Sequence, residues 1–148
     1  MHFKHQKQAG FTLLEIMVVI VILGILASMV LPNLLGNKEK AERQKVVSDI
    51  TTLESAMDMY KLDNSRYPNT DQGLEALVSK PDIDPQPRNY REDGYIKRLP
   101  TDPWGNEYLL LQPGENGKYD LFSAGLDGEE GTEDDIGNWN MFDKPDQQ

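Results

Sequence analysis

Two patterns of apolar residues follow one another in the first part of the chain. From Leu13 to Leu31 the only charged residue is Glu15. A helix of these 19 residues would be about 28 Å long, close to the thickness of the hydrocarbon core of a bilayer. A helix that is apolar on all faces needs a large protein or a membrane around it. The remaining chain is too small and too polar, so the pattern predicts membrane insertion.

After Gly36 the pattern becomes that of an amphipathic helix. Apolar residues recur at spacings of 4, 3, 4 and 3, at Val46, Ile50, Leu53, Met57 and Tyr60. This spacing places them on one helix face, which we expect to pack on a small globular part. The helix is predicted to run from near Thr12 to near Asn64, with a kink at Pro32, because proline removes a backbone donor.

The rest of the chain is rich in turn-forming residues and holds short apolar runs. Thr70 is predicted to cap a short helix over 71–78, and residues 102–106 a tight turn in which Trp104 anchors the core. Alternating apolar residues predict three short strands, at 108–111, 119–123 and 139–141. The expected fold is therefore α+β, with a long helix packed on a small antiparallel sheet.

Composition excludes several classes of function. Among 148 residues there is no Cys, and His2 and His5 are the only histidines. This excludes disulfides, thiolate chemistry and, in the body of the chain, catalysis by histidine. The formal net charge of −10 argues against binding to nucleic acid, whose phosphates need a basic surface. No P-loop motif is present, so any work that the protein does must draw on another protein's nucleotide hydrolysis.

Residues 123–138, called here the acidic loop, concentrate negative charge. Six carboxylates fall within nine positions, at Asp127, Glu129, Glu130, Glu133, Asp134 and Asp135. Three interspersed glycines permit tight turns that would bring their oxygens together. Oxygen ligands without His or Cys suit Ca²⁺, although the spacing is not that of an EF-hand. By composition alone, a solvated surface loop is favoured over a metal site.

Glu15 has two explanations. Thr12 and Glu15 have the T-x-x-E spacing of a capping box, in which the two residues cap the start of a helix reciprocally. The capping box does not explain a carboxylate one turn inside an apolar segment, since such acids are costly in a membrane and usually have a partner. The apolar segment holds no cation. The partner must come from a chain terminus, another subunit or another protein.

At these residues the sequence resembles a known family. Gly10 to Glu15 read GFTLLE, and an apolar helix follows, as in type IV pilins and the pseudopilins of type II secretion. Together with DMYKLDNSRYP, DPWGNEY and the acidic loop, this start resembles the major pseudopilins of the type II secretion system, over nearly all of residues 10–140. The resemblance implies a type IV pilin-like fold with a calcium-stabilised loop.

The resemblance also implies how the chain is divided and processed. Residues 1–10 would be a leader that a prepilin peptidase removes by cutting between Gly10 and Phe11, after which the same enzyme methylates the Phe11 amine. The mature chain would then consist of four parts: a transmembrane and assembly helix (11–35), an amphipathic helix (36–64), a globular pseudopilin head (65–142) and a flexible tail (143–148). In the filament, Glu15 of an incoming subunit would pair with the Phe11 amine of its neighbour.

Two further sites follow from the resemblance. The first is a structural Ca²⁺ site in the acidic loop, with side-chain ligands Asp127, Asp134 and Asp135 and backbone carbonyls of Ala124 and Glu129. The second is a set of inter-subunit salt bridges. An acidic patch of one copy would face a basic pair of the next, the four residues being Glu54, Asp58, Lys97 and Arg98.

The function implied is structural rather than enzymatic. The chain would enter the bacterial inner membrane with its N-terminus cytoplasmic and its head periplasmic. It would then polymerise into a pseudopilus, the filament that drives folded exoproteins across the outer membrane. Expected partners are the prepilin peptidase and methyltransferase, minor pseudopilins, and an inner-membrane assembly platform powered by a cytoplasmic ATPase.

Three alternatives remain open at this point. The nearest is a type IV pilus pilin, against which the missing cysteine pair and the acidic loop argue. A membrane-anchored enzyme would have to rely on carboxylates alone. A membrane-tethered calcium-binding module that never polymerises would leave Glu15 without a role.

Overall fold

A computed structural model describes residues 10–143, except for the side chains of residues 30–35. The fold is α+β, as predicted: one long helix and a small antiparallel sheet. The predicted leader up to residue 9 and the tail from residue 144 lie outside the described residues. The elements in chain order are helix α1 (Leu13–Asn64), a 3₁₀ turn (Leu74–Leu77), and strands β1 (Leu109–Leu111), β2 (Asp120–Ser123) and β3 (Ile136–Gly137).

Helix α1 has 52 residues, and both of its predicted ends are confirmed. Its first turn has the predicted capping box: the Glu15 N–H donates to Thr12 Oγ1 at 3.3 Å, and the Thr12 N–H donates to Glu15 Oε2 at 3.4 Å. The helix continues without a break through position 32. The proline kink stays a prediction.

Apolar side chains from Phe11 to Met29 stand largely exposed in this single chain. Within the described residues, no helix combines the length and the apolar character needed to cross a membrane. The run that we expect to do so ends at Leu31, and its last two side chains lie outside the described set.

The chain separates into two compact units, one ending at Lys40 and the other beginning at Ala41. The unit that begins at Ala41, called here the C-terminal unit, has a single hydrophobic core. The five residues predicted to form the buried face of α1 are all completely buried, namely Val46, Ile50, Leu53, Met57 and Tyr60. They pack in one cluster with residues of the strands and of the 3₁₀ turn, among them Leu121, Leu110 and Leu77. The amphipathic prediction is therefore confirmed.

The sheet has the order β1-β2-β3, and both pairs are antiparallel. The first two predicted strands are confirmed, but the third is wrong. β3 lies earlier, at Ile136–Gly137, and residues 139–141 form a turn in which the Met141 N–H donates to the Gly137 carbonyl at 2.9 Å. The apolar alternation there reflects a ring packed on backbone, since a Cβ at Gly137 would lie 2.2 Å from the Trp139 ring.

Thr70 does not cap a helix. The predicted helix over 71–78 is only the 3₁₀ turn, and no side chain caps its start. Instead the Thr70 hydroxyl donates to the Gln112 carbonyl at 3.2 Å and accepts from the Gln112 N–H at 2.8 Å. The Thr70 hydroxyl forms its hydrogen bonds with a residue 42 positions away instead of with the local backbone. A pattern of neighbouring residues cannot predict such a partner.

The tight turn at 102–106 is confirmed. Asp102 Oδ1 accepts from the N–H groups of Trp104 at 3.0 Å and Asn106 at 2.8 Å, which is how an aspartate stabilises a turn that it begins. Gly105 has φ +94°, a conformation that favours glycine. Trp104 is partly buried against the core cluster, in agreement with its predicted role.

Candidate functional sites

The predicted cleavage and assembly residues lie together at the start of α1. Gly10 precedes the helix, and the Phe11 side chain is 82% exposed. Glu15 is exposed one turn into the helix, and its carboxylate caps Thr12 at a long 3.4 Å. An exposed capping bond of this length is weak, so the carboxylate is free to exchange Thr12 for a stronger donor.

Glycine 125 allows the acidic loop to close on Asp134. Gly125 has φ +65°, and a Cβ there would lie 2.3 Å from Asp134 Oδ2. In the space so left, Asp134 Oδ2 accepts from the N–H groups of Leu126 at 2.7 Å and Asp127 at 3.2 Å. The Thr132 hydroxyl, followed by these N–H groups, holds the pKa of Asp134 below its usual range.

Three oxygens of the predicted calcium site surround one hydroxyl. Thr132 Oγ1 lies 2.6 Å from Asp134 Oδ1, 3.4 Å from Asp127 Oδ1 and 3.1 Å from the Glu129 carbonyl oxygen. A hydroxyl has a single proton to donate, so these acceptors compete for it. Thr132 was not singled out from the sequence, because a threonine among acids carries no signal of its own.

Asp135 presents an unsatisfied oxygen. Its Oδ2 accepts from the Gly131 N–H at 2.8 Å, whereas its Oδ1 is buried and has no hydrogen-bond partner. Buried polar atoms without a partner are uncommon and call for an explanation such as an ion. The other predicted carbonyl, that of Ala124, accepts from the Gly128 N–H at 3.2 Å.

The donor set fits a hard cation, but its side chains are not gathered into a finished site. Within the described part of the chain, no three acidic, His or Cys side chains converge closely enough to form a metal-binding group. Acceptor crowding at Thr132 and the unsatisfied Asp135 Oδ1 both occur in this loop. The calcium ligands therefore stay a prediction, and the chemistry of the residues present is compatible with it.

A buried aspartate, Asp102, stabilises the start of the acidic loop through hydrogen bonds. Asp102 is 3% exposed, and its Oδ2 accepts from the Ser123 hydroxyl at 2.6 Å. Ser123 Oγ in turn accepts from the Gly125 N–H at 3.2 Å, and Asn106 donates to the Gly125 carbonyl at 3.3 Å. The turn at 102–106 thus fixes the first residues of the acidic loop, a role that its sequence did not reveal.

The predicted acidic patch lies on α1. Glu54 is half-buried, and its pKa is raised, mainly by burial; the Asn138 side chain lowers it and the nearby Asp58 charge raises it. Asp58 is exposed and accepts from the Tyr67 hydroxyl at 2.9 Å. Neither carboxylate forms an ion pair with any other residue in the described ranges.

The predicted basic pair is exposed. No hydrogen bond or ion pair joins Lys97 or Arg98 to another of the described residues. In particular, within one chain the structure does not bring them onto Glu54 or Asp58. The four charges are thus available to a second molecule, and the inter-subunit contact stays a prediction.

Two family models match successive parts of the chain. The model described as "Prokaryotic N-terminal methylation motif" matches residues 5–31, and "Type II secretion system (T2SS), protein G" matches residues 33–139. Among curated relatives, "Type II secretion system core protein G" of Aeromonas hydrophila is 71% identical over 138 residues, covering 93% of this chain and 96% of that protein. The protein of the same name from Escherichia coli K12 is 68% identical over 138 residues, covering 93% and 95%.

The fold is also similar to that of a solved structure. The crystal structure of the major pseudopilin from the type 2 secretion system of enterohaemorrhagic Escherichia coli superposes with a TM-score of 0.71 at 66% sequence identity. The match covers 74% of this chain and 96% of that one.

Glu54→Gln is expected to stabilise the isolated protein at neutral pH. Because burial raises the folded-state pKa of Glu54, ionisation disfavours the folded state. This cost appears as the pH rises through the ordinary range of a glutamate and is complete above the folded-state pKa. The free energy of unfolding is measured with urea at pH 7 and at pH 4. It should be larger for the variant than for the wild type at pH 7, and the difference between the two proteins should shrink at pH 4.

A matched control is Glu92→Gln, which removes one charge from an exposed loop position and so reports the general effect on an acidic chain. A Glu54→Gln variant that is less stable than the wild type at pH 7 would contradict the conclusion that ionised Glu54 destabilises the folded state.

Proposed function

The chain belongs to the type II secretion system protein G family, the major pseudopilins, and on that premise we propose how its sites serve assembly of the pseudopilus. As a major pseudopilin it is a component of a protein-secretion filament rather than of a type IV pilus. The observation that carries this is the presence, in one chain, of a methylation motif at 5–31 followed by the protein G match at 33–139.

The proposed cellular role is mechanical. Copies of the mature chain leave the inner membrane and add to a periplasmic filament, whose growth moves folded exoproteins across the outer membrane. The chain catalyses no reaction; a cytoplasmic ATPase supplies the energy through an inner-membrane assembly platform, and minor pseudopilins complete the filament. In the precursor, the N-terminus is cytoplasmic, residues 11–35 span the membrane and the head is periplasmic.

Processing creates the charge that assembly needs. The prepilin peptidase cuts after Gly10 and methylates Phe11, a site supported by the methylation motif and by the exposure of both residues. The cut leaves an ammonium group at Phe11, one helical turn before Glu15. In a staggered filament the Glu15 carboxylate of an arriving copy pairs with the Phe11 ammonium of its neighbour. A buried charge left unpaired costs several kcal/mol, so only the correct register is tolerated.

Glu15→Ala is expected to abolish or strongly reduce filament assembly, while membrane insertion is unchanged. The variant loses the carboxylate that must pair with the neighbour's ammonium, but it gains an apolar residue in an apolar segment. Filaments sheared from cells and counted by electron microscopy give the readout.

Mass spectrometry of the N-terminus is the control for processing. Both the wild type and the variant should begin at Phe11, and the wild type should carry one added methyl group. Normal filaments from Glu15→Ala would refute the pairing, and a mature chain that begins elsewhere would refute the cleavage site.

We also propose that the acidic loop binds one structural Ca²⁺. Asp127, Asp134 and Asp135 would supply carboxylate oxygens, and Ala124 and Glu129 would supply backbone carbonyls. The support is the unsatisfied Asp135 Oδ1 and the acceptors that compete for the Thr132 hydroxyl. When bound, the cation would offset the mutual repulsion of the loop carboxylates and make the loop more rigid. A disulfide in the same region of type IV pilins would have the corresponding role.

Calcium is expected to raise the melting temperature of the full chain in detergent. At a calcium concentration a hundredfold above Kd the stabilisation is about 2.7 kcal/mol, on the order of 10 °C for a domain of about 100 residues. Asp127→Asn should lose most of this shift, because the amide lacks the ligand's charge.

Glu133→Gln, which removes an exposed charge of the same loop, should retain most of the shift. Calorimetry in calcium and in EGTA measures all three proteins. Identical melting of the wild type under both conditions would mean that the loop is merely solvated.

Inter-subunit salt bridges are the third proposed element. Glu54 and Asp58 of one copy would face Lys97 and Arg98 of the next. The half-burial of Glu54 without an ion pair in the described ranges and the exposure of both cations support this arrangement. Lysine at 97 provides a point charge instead of a planar bidentate fork, so this contact is less directional than one made by arginine.

Asp58→Lys and Lys97→Glu should each impair assembly, and the double variant should restore it, because the attraction is re-formed with reversed signs. The readout is again the number of filaments. Asp58→Lys combined with Lys80→Glu is the matched control, since it restores the net charge at an exposed position outside the proposed contact. Failure of the first pair to rescue, or equal rescue by the second, would discard the contact.

A further inference from the structure

The turn that follows β3 joins the acidic loop to helix α1 by hydrogen bonds. On the helix side, Arg43 is partly buried and its Nη2 donates to two backbone carbonyls, that of Asn140 at 2.9 Å and that of Asp143 at 3.0 Å. These acceptors lie 97 and 100 residues further along the chain. The turn is therefore held directly against α1 near the start of the C-terminal unit.

Asn140 connects this turn to the acidic loop. Its Nδ2 donates to the Asp135 carbonyl at 2.9 Å, and its Oδ1 accepts from the Gly137 N–H at 2.9 Å. The Asn140 N–H also donates to the Gly137 carbonyl at 3.1 Å. The Asn140 side chain thus holds both Asp135, the last carboxylate residue of the acidic loop, and Gly137 of strand β3.

The connection begins at the residue whose carboxylate is least satisfied. Asp135 Oδ1 is buried without a donor, while the Asp135 carbonyl is the acceptor of Asn140. A cation bound to this carboxylate would restrict the Asp135 backbone, and this restriction would favour the geometry in which Asn140 donates. Hydrogen bonds in such a chain strengthen one another, so ordering at one end stabilises the other.

We propose that Asn140 and Arg43 are positioning residues that transmit calcium occupancy of the acidic loop to the part of helix α1 that begins at Ala41, so that this part of the helix is stabilised when the loop is loaded. The inference rests on the calcium site of the proposed function. Since coupling between two sites is reciprocal, an α1 held in place by neighbouring subunits would also raise the affinity of the loop for calcium.

A second set of hydrogen bonds also connects the acidic loop to α1, and it serves as the control for the first. Ser123 and Asp102 hold the other end of the loop, and Lys45 on α1 donates to the carbonyl of Thr101, next to Asp102. Lys45 also pairs with Asp49 on the same helix. If coupling ran by this route, Lys45 and not Arg43 would be required.

Hydrogen exchange of the full mature chain in detergent separates the routes. Exchange is followed by mass spectrometry in calcium chloride and in EGTA, for peptides from residues 41–53 of the helix and 124–136 of the loop. In the wild type, calcium should slow exchange in both peptides, in the helix by about fivefold or more, the lower end of usual couplings.

At a calcium concentration that saturates every variant, Arg43→Ala and Asn140→Ala should keep the calcium effect in the loop peptide but reduce it below about twofold in the helix peptide. Lys45→Ala should keep both effects. Arg43→Lys, which retains the charge on a shorter side chain without the planar guanidinium, and Asn140→Ser, which is polar and uncharged but lacks the amide donor to Asp135, provide gentler versions in case the alanine variants do not fold.

The outcomes distinguish this inference from the calcium site itself. If calcium does not slow exchange in the wild-type loop peptide, both the calcium site and the coupling are overturned. Protection of the loop without the helix in the wild type, or helix protection that survives in the Arg43 and Asn140 variants, would overturn the coupling and leave the site standing. Loss of helix protection in Lys45→Ala would assign the coupling to the other route and overturn this one.

Discussion

Burial of one face of helix α1 is the interaction on which the rest of the C-terminal unit depends. Five apolar side chains of this face, from Val46 to Tyr60, are fully buried. A three-stranded sheet with strands of two to four residues has little stability of its own, so it needs this surface to pack on. Beside this face the same helix carries Glu54 and Arg43, both partly buried, and the exposed Asp58. The helix thus stabilises the unit and presents its charged sites.

Around this core, short polar side chains fix the loops that the sheet is too small to organise. Asp102 stabilises its own turn and holds Ser123. Asp120, which is 2% exposed, accepts from the N–H groups of Glu115 and Asn116 and so closes the turn between β1 and β2. Because each carboxylate accepts several N–H bonds, its burial is compensated. Only Asp135 among the buried aspartates keeps an oxygen without a donor, within the ranges described, and it lies in the loop proposed to bind calcium.

Much of the fold was predictable because its signals are local. The spacing of apolar residues from Val46 to Tyr60, the T-x-x-E pair at Thr12 and the turn that begins at Asp102 each involve residues within a few turns of one another. The third strand was misplaced because Trp139 and Met141 alternate as a strand does, while the ring packs on Gly137. Thr70 was misassigned because its hydroxyl finds Gln112, 42 residues away.

The sequence by itself determined the long helix, its buried face, the α+β class and the family. Periodicity, capping pairs and motifs are properties of neighbouring residues, and they survive without knowledge of the fold. Only the tertiary structure decided that Thr132 lies between the loop carboxylates, that Asp135 keeps an unpaired oxygen, and that Arg43 clamps the turn at Asn140. These contacts join backbone and side chains brought together by burial of the helix face, so no spacing along the chain encodes them.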